Sequence, residues 1–341
     1  MKRMNRDQFF TTLSTLDDER LQKTLWNLYW RGSAAMRERI EAELDPSTAP
    51  TKDPHKELAD PKEVLREVSD FVTLARSGAY LAGDRRVSPR ERSRWRFTFQ
   101  HLARDAIQSL RGEGCADGIR AVERLIDLAC DLRGYDYFHS DDPVEAARFV
   151  VSDVTAMMWT RVRDQFGFSE FVERAAPQLV RWESKYGWTR SGYGRVSEQE
   201  TSLAHVLSEM LWAPDMWMSF TDRYLEALDQ VAHGVESTRK RTWQREDWSR
   251  TERTAALAEW HHWLLEKLFG SEGEDRLDTL ARHPALGGPE LAFFQAQLAH
   301  RRDDVDGART LVLEALGKLP GHQGFLDFAL HVGAPLASRR Q

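Results

Sequence analysis

Residues 203–211 read LAHVLSEML, and apolar side chains recur in this stretch every three to four positions. The apolar residues with this spacing are Leu203, Val206, Leu207, Met210 and Leu211. Such spacing places them on one face of an α-helix, and that face must be buried against another element. The same period recurs over 122–129 and 257–268, whereas the alternating pattern of strands is almost absent. The sequence therefore predicts an all-α fold.

Short polar residues followed three positions later by Glu or Gln indicate several helix starts. In such a capping box the two side chains bind amides that the first helical turn leaves without partners. Three of these starts also have proline at the first helical position, where a missing amide is tolerated. The pairs are Asn5 with Gln8, Asp60 with Glu63, Ser88 with Glu91, Asp142 with Glu145, and Ser197 with Glu200. The patterns also predict continuous helices over 143–165 and 244–269, and a bend or break at Pro177.

A proline-rich stretch, residues 45–61, divides the chain of 341 residues. Prolines fix the backbone and lack an amide donor, so this stretch cannot be a helix or a central strand. We predict an N-terminal helical unit over 1–45, a linker over 46–60, a main all-helical domain over 61–283, and a C-terminal unit with a tail over 284–341. Short glycine-containing connections favour antiparallel neighbours, so we expect stacked helical hairpins, as in an α-solenoid.

Composition excludes several classes of protein. A hydrophobic fraction of 41% supports a packed core, which excludes disorder throughout the chain. The net charge of −6 argues against a dedicated nucleic-acid binder, and two cysteines exclude a disulfide scaffold or a cysteine-based zinc finger. The N-terminus has no apolar signal segment, and no run of about 18 apolar residues is present. We therefore expect a cytoplasmic protein without a membrane partner.

Residues 289–322 read PELAFFQAQLAHRRDDVDGARTLVLEALGKLPGH. This stretch resembles one tetratricopeptide repeat, a helix–turn–helix unit of about 34 residues. Small side chains let its paired helices approach closely, and proline ends the second helix. The matching positions are Ala296, Ala308, Ala315, Leu316 and Pro320.

Three positions depart from the repeat pattern. Ala292 stands at the usual tryptophan, Asp303 at the usual glycine of the turn, and Val305 at a later aromatic position. The resemblance covers about a tenth of the chain. It implies stacked helical hairpins that bind a protein or peptide partner.

An arginine-rich segment, GDRRVSPRERSRWRF over 83–97, is the first candidate binding region. Guanidinium groups bind phosphates or carboxylates through two parallel hydrogen bonds, so the segment could hold either kind of group. The alternative is a solvated helix start whose arginines pair locally with Glu91. The candidate partner-binding residues here are Arg85, Arg86, Arg90 and Arg94.

The stretch KYGWTRSGYGR, residues 185–195, is the second candidate region. Aromatic and arginine side chains are enriched at binding hot spots, and glycines permit unusual backbone conformations. The alternative is a packed loop whose aromatic side chains cover the core. The candidate residues are Trp188, Arg190, Tyr193 and Arg195.

Glu259 and His262 share a helix face at a spacing found in carboxylate-bridged di-iron bundles. Such a site needs a second Glu-x-x-His, which the sequence lacks, so both remain weak metal candidates. No nucleophile elbow, phosphate loop or His-Glu-x-x-His motif is present, so we predict no catalytic residue and no cofactor.

These patterns predict a non-enzymatic helical scaffold or adaptor that binds a protein or peptide. Two alternatives stay open. One is an enzyme or metal-binding protein with a site between helices. The other is phosphate or nucleic-acid binding through Arg85–Arg96, which would weaken steeply with salt.

Overall fold

The computed structural model describes residues 11–12, 16–31, 40, 59–81, 84–112, 114–132, 134–186, 194–237 and 243–336. Every regular element in these residues is a helix, which confirms the all-α class. None of these helices is both long enough and apolar enough to cross a membrane. The chain divides into two compact units, Met1–Leu58 and Ala59–Gln341.

In the first unit, helix α1 spans Asp18–Arg31. The Asp17 carboxylate accepts a hydrogen bond of 2.8 Å from the Arg20 amide and so caps the helix start. Trp26 stacks on Tyr29 and on Trp30, with ring centroids 5.7 and 5.8 Å apart. The predicted cap at Asn5 and Gln8 lies outside the described residues.

The second unit begins with three helices that all pack on one another: α2 (Pro61–Arg76), α3 (Pro89–Ser109) and α4 (Cys115–Asp131). Asp60 caps α2 as predicted, but through the Lys62 amide, and Glu63 pairs with Arg66 instead of completing the predicted box. The capping box at the start of α3 is complete, because the Ser88 and Glu91 side chains each bind the other residue's amide. α2 packs more extensively on α4 than on its chain neighbour α3. Stacking of consecutive hairpins therefore remains a prediction.

The single helix predicted over 143–165 is wrong. Helix α5 spans Pro143–Ala147 and ends at Arg148, whose φ of 53° lies in the left-handed region. Helix α6 then runs over Val151–Tyr186. It is interrupted at Gly167, with φ 88° and ψ 173°, whereas Pro177 keeps helical dihedral angles, so the helix does not break there. Only glycine takes these dihedral angles without a steric penalty, so Gly167 interrupts the helix.

Two glutamates that we expected in local caps instead cap helices that are distant in sequence. Glu145 accepts from the Arg195 and Val196 amides at 3.2 and 2.8 Å, at the start of α7 (Arg195–Gln199). Glu200 accepts from the Val151 and Ser152 amides at 2.6 and 3.0 Å, at the start of α6. The predicted Ser197–Glu200 cap is therefore wrong. Asp142 does cap α5, through the Glu145 amide.

Five further helices follow α7 in the main core. They are α8 (Leu203–Met210), α9 (Pro214–Ser237), α10 (Trp243–Ala256), α11 (Ala258–Leu268) and α12 (Asp275–Ala281). α8 begins at Ser202, which accepts from the His205 amide at 2.9 Å. The helix predicted over 244–269 is interrupted at Leu257, which has non-helical dihedral angles. α6 contacts α4, α8, α9 and α10, so it forms the centre of this core.

The chain continues in α13 (Pro289–Arg301), α14 (Val305–Lys318) and α15 (Gln323–His331). α13 and α14 form a tight hairpin, and Ala296, Ala308 and Ala315 are fully buried. Asp303 adopts a φ of 62° in the turn, where the tetratricopeptide repeat has glycine. A second hydrophobic cluster lies among these three helices. The family resemblance itself remains a prediction.

Candidate functional site: an arginine-lined groove

A groove runs between α3 and the part of α6 that precedes Gly167. It consists of two adjoining depressions of about 550 and 460 Å³, and both are lined by Ile107, Arg111 and Met157. Its floor is mainly apolar. We call it the arginine groove and define it by the floor residues Ile107, Leu110, Ala156 and Met157 and by the arginines Arg104, Arg111, Arg148 and Arg161.

Helix α3 supplies one wall of the arginine groove because its two faces differ sharply. One face is buried in the core through residues such as Trp95 and Phe99. The opposite face is exposed over a row with alternating spacings of four and three positions, the period of a helix-docking seam. This α3 stripe consists of Arg90, Arg94, Phe97, His101, Arg104 and Gln108 on the helix, and it is continued by Arg111 two residues beyond the helix end. At 1.5 Å per residue it is about 30 Å long.

Three arginines of the groove have no carboxylate partner among the described residues. Arg104 lies 3.7 Å from an Asp105 oxygen and 2.8 Å from the His101 ring. By contrast, no such contact is found for Arg111, Arg148 or Arg161 within the ranges that the structure covers.

The Nε atom of Arg161 is buried and has no hydrogen-bond acceptor among the described residues. A buried donor without an acceptor is unfavourable, because it has lost water without gaining a replacement. The Arg161 Nε atom is therefore an unsatisfied donor within the described ranges.

The groove is more positive than the chain as a whole. Its four arginines face two carboxylates, Asp153 and Asp164, and Asp164 already lies 3.4 Å from Arg163. The chain carries a net charge of −6. A local excess of guanidinium groups on a net-acidic protein favours an anionic partner at this place.

Arg148 occupies a backbone position that suits glycine. It ends α5 with φ 53° and ψ 44°, and the Phe149 amide donates to the Val144 carbonyl at 3.2 Å across the turn. A left-handed conformation costs a residue with a Cβ atom about 1 kcal/mol. The Arg148 side chain is exposed and makes no described contact that offsets this cost.

We expect Arg148→Gly to raise the free energy of unfolding by about 0.5–1 kcal/mol, because glycine adopts this conformation freely. The same change should weaken binding to the groove, since it removes a guanidinium group. Urea unfolding and a binding titration on one preparation would measure the two effects. The matched control is Arg148→Ala, which removes the charge but retains the strain. A variant that is less stable than the native chain would contradict this account of Arg148.

The arginine segment predicted from the sequence separates into two groups. Arg90 and Arg94 lie on the α3 stripe, and Arg85 is exposed just before the helix. Arg86 is engaged within the fold, because it pairs with Asp84 and donates to the Ser77 carbonyl at 2.8 Å. The hydrogen bonds that the Arg86 side chain and amide donate to the Asp84 carboxylate lower the pKa of Asp84 to about 2.

The second predicted region is only partly described. Trp188, Arg190 and Tyr193 lie outside the described residues. Arg195 is exposed at the start of α7, and its amide is bound by Glu145, three residues before Arg148 of the groove. The start of α7 therefore adjoins α5, which supplies Arg148.

The two weak metal candidates lie apart from the groove lining. Glu259 and His262 are both exposed on α11. In the ranges covered by the structure, no group of three or more His, Cys, Asp or Glu side chains is placed to hold a metal ion. Their neighbour His261 is fully enclosed and lies 2.8 Å from the Tyr224 hydroxyl.

None of the four arginines of the groove was predicted from the sequence. The spacing of Arg104 and Arg111 along the α3 stripe was visible in the sequence, as a continuation of the row begun by Arg90 and Arg94. Arg148 and Arg161 carried no such signal, because only tertiary packing brings α5 and α6 beside α3. Comparison with protein-family models, with curated proteins and with solved structures gives no match for this chain.

Proposed function

We propose that this chain is a non-enzymatic, cytoplasmic scaffold or adaptor that binds an acidic protein partner in the arginine groove. The observation that carries this proposal is the set of three guanidinium groups that surround one apolar floor and have no carboxylate partner among the described residues. Arginine beside apolar surface is typical of interface hot spots, because the side chain combines packing with charge-assisted hydrogen bonds.

A protein partner fits the groove better than a nucleic acid. The floor formed by Ile107, Leu110 and Met157 would bury apolar side chains, which a phosphate backbone does not offer. The resemblance of residues 289–322 to a protein-binding repeat also supports a protein partner.

Charge reversal in the groove tests this function. Arg111→Glu combined with Arg148→Glu should lower recovery of the partner about tenfold or more, since it replaces attraction by repulsion. Recovery would be measured by quantitative mass spectrometry after affinity capture from nuclease-treated extract of the native cells. The matched control is Arg124→Glu, which reverses an exposed arginine on α4. Circular dichroism would confirm that all variants keep their helices.

The expected result is a defined set of proteins retained by the native chain and by Arg124→Glu but lost with the double variant. Equal recovery with all three chains would contradict the proposal. Recovery that is found in untreated extract but is lost after nuclease treatment would favour the alternative of nucleic-acid binding.

A further inference from the structure

We infer that the element bound in the arginine groove is an acidic amphipathic α-helix lying along α3, with one of its carboxylates on Arg161. This inference rests on the proposed function and goes beyond it, because it names the secondary structure and the contact chemistry of the partner. Three independent observations carry it: the spacing of the α3 stripe, the exposed apolar side chains Phe97 and Met157, and the Arg161 guanidinium group, which has no carboxylate partner among the described residues.

The spacing of the α3 stripe matches the periodicity of a second helix. Its seven positions repeat at intervals of four and three residues, as do the seam positions of two helices packed side by side. In a packed pair, those positions would be covered by the partner helix. In the α3 stripe they are all exposed, over a length of about 30 Å. A single carboxylate would use only a small part of this length.

The chemistry of the stripe and the floor specifies the two faces of the partner. Phe97 is 52% exposed within the basic row, and the Arg96 guanidinium lies 4.8 Å from the centre of its ring. Met157, on the floor of the groove, is 41% exposed. Apolar residues of a bound helix would cover these side chains. Acidic residues one turn away would face Arg94, Arg104 and Arg111, which gives the amphipathic pattern.

Arg161 provides the most specific contact. Its guanidinium group has no carboxylate partner among the described residues, and its side chain lines the groove beside Leu110 and Met157. A carboxylate can accept from the two terminal nitrogens of one guanidinium group in parallel. The bound carboxylate would therefore pair with a charge that has no opposite partner within the described ranges of the free protein. Such a contact adds affinity without first breaking an internal hydrogen bond.

Designed peptides of about three heptads test the inference on the full chain. The probe is a capped helical peptide with Leu and Glu on one face and Ala and Gln elsewhere. One comparison peptide carries Pro at two central Ala positions, so it keeps the charge but loses the helix. Another replaces Glu by Lys. A single-stranded oligothymidylate of similar length reports binding to nucleic acid. Fluorescence anisotropy at two salt concentrations gives each affinity.

We expect the acidic helix to bind about tenfold or more tightly than the proline-containing and the lysine peptides. Arg161→Gln should weaken binding of the acidic helix about tenfold, because it removes a charge-assisted, two-bond contact. Arg161→Lys should recover only part of this affinity, since an ammonium group cannot form the parallel pair. The thermal midpoint of Arg161→Gln should equal or exceed that of the native chain, because the replaced donor has no described internal partner.

The inference is overturned if the proline-containing peptide binds as tightly as the helix, or if oligothymidylate binds more tightly than both. It is also overturned if Arg161→Gln leaves the affinity unchanged. The proposed function fails separately, when the Arg111→Glu and Arg148→Glu variant retains its cellular partners. If the double variant loses its cellular partners but the native chain does not bind the acidic helical peptide, the proposed function is supported and the helical ligand is rejected.

Discussion

At about pH 4.5 the free energy of unfolding of the second unit should be about 3 kcal/mol lower than at about pH 7.5, because of His261. This side chain is 2% exposed and lies between α9 and α13, with Tyr224, His283 and Phe294 around it. Burial, assisted by the nearby His283, lowers its pKa from 6.5 to about 3. The folded protein therefore keeps this imidazole neutral over a range in which the unfolded chain binds a proton.

The direction of the pH effect follows from these two pKa values. Above pH 6.5 His261 is neutral in both states, so its contribution to stability is complete. Between pH 6.5 and about 3 only the unfolded state gains the proton, and stability falls by about 1.4 kcal/mol per unit of pH. Burial also lowers the pKa of His283, although its pair with Asp229 at 3.2 Å opposes that shift. His283 therefore adds to the loss of stability in acid.

Urea unfolding followed by tryptophan fluorescence at several pH values would measure this slope. His261→Gln keeps a hydrogen-bonding group near Tyr224 but cannot titrate. The change in its free energy of unfolding between pH 7.5 and 4.5 should therefore be about 3 kcal/mol smaller than that of the native chain. The matched control is His262→Gln, because His262 is the exposed neighbour on the same helix. If His261→Gln and the native chain show the same acid slope, buried His261 is not the cause.

The sequence predicted those features of the fold that depend on local patterns. Apolar periodicity identified the helices, and the caps at Asp60, Ser88 and Asp142 lie where short polar residues precede proline. The failures arose where distant residues compete for the same groups. Glu145 and Glu200 bind amides about 50 positions away, because a buried helix start attracts any carboxylate that packing brings near it.

The candidate site was predicted only in part, for the same physical reason. The basic row through Arg90 and Arg94 is a property of one helix, so its spacing was present in the sequence. The arginine groove exists only when α3 packs near α6, and no pattern within α6 distinguishes Arg161 from the other arginines of this chain. Whether a guanidinium group lacks a partner depends on every neighbouring element, so it becomes visible only in three dimensions.

Replacing Gln178 with Leu should lower the free energy of unfolding by about 2–4 kcal/mol. Gln178 lies after the interruption of α6 and is 7% exposed. Its carbonyl oxygen accepts from the Trp159 indole at 2.7 Å, and its amide donates to the Glu123 carboxylate at 2.7 Å. One side chain thus joins both arms of α6 to α4. Leucine would leave the fully buried indole N–H without its acceptor and Glu123 without this donor.

Two further variants separate the hydrogen bonds from simple packing. Trp159→Phe in the Gln178→Leu background removes the unsatisfied indole donor, so the double variant should lose less than the sum of the two single losses. Equilibrium unfolding of the four chains in this cycle gives the coupling. Additive losses would show that the indole finds another partner.

Gln178→Glu tests the contact with Glu123 through pH. The new side chain still offers Trp159 an acceptor, but it places a second carboxyl group 2.7 Å from a carboxylate whose pKa burial already raises. The two groups cannot both ionise at this distance, so one must hold a proton in the folded state. Its pKa is raised above the unfolded value, and the variant should therefore lose stability as the pH rises from about 5 to 8. A variant with the same stability at both pH values would show that Glu123 and residue 178 separate in solution.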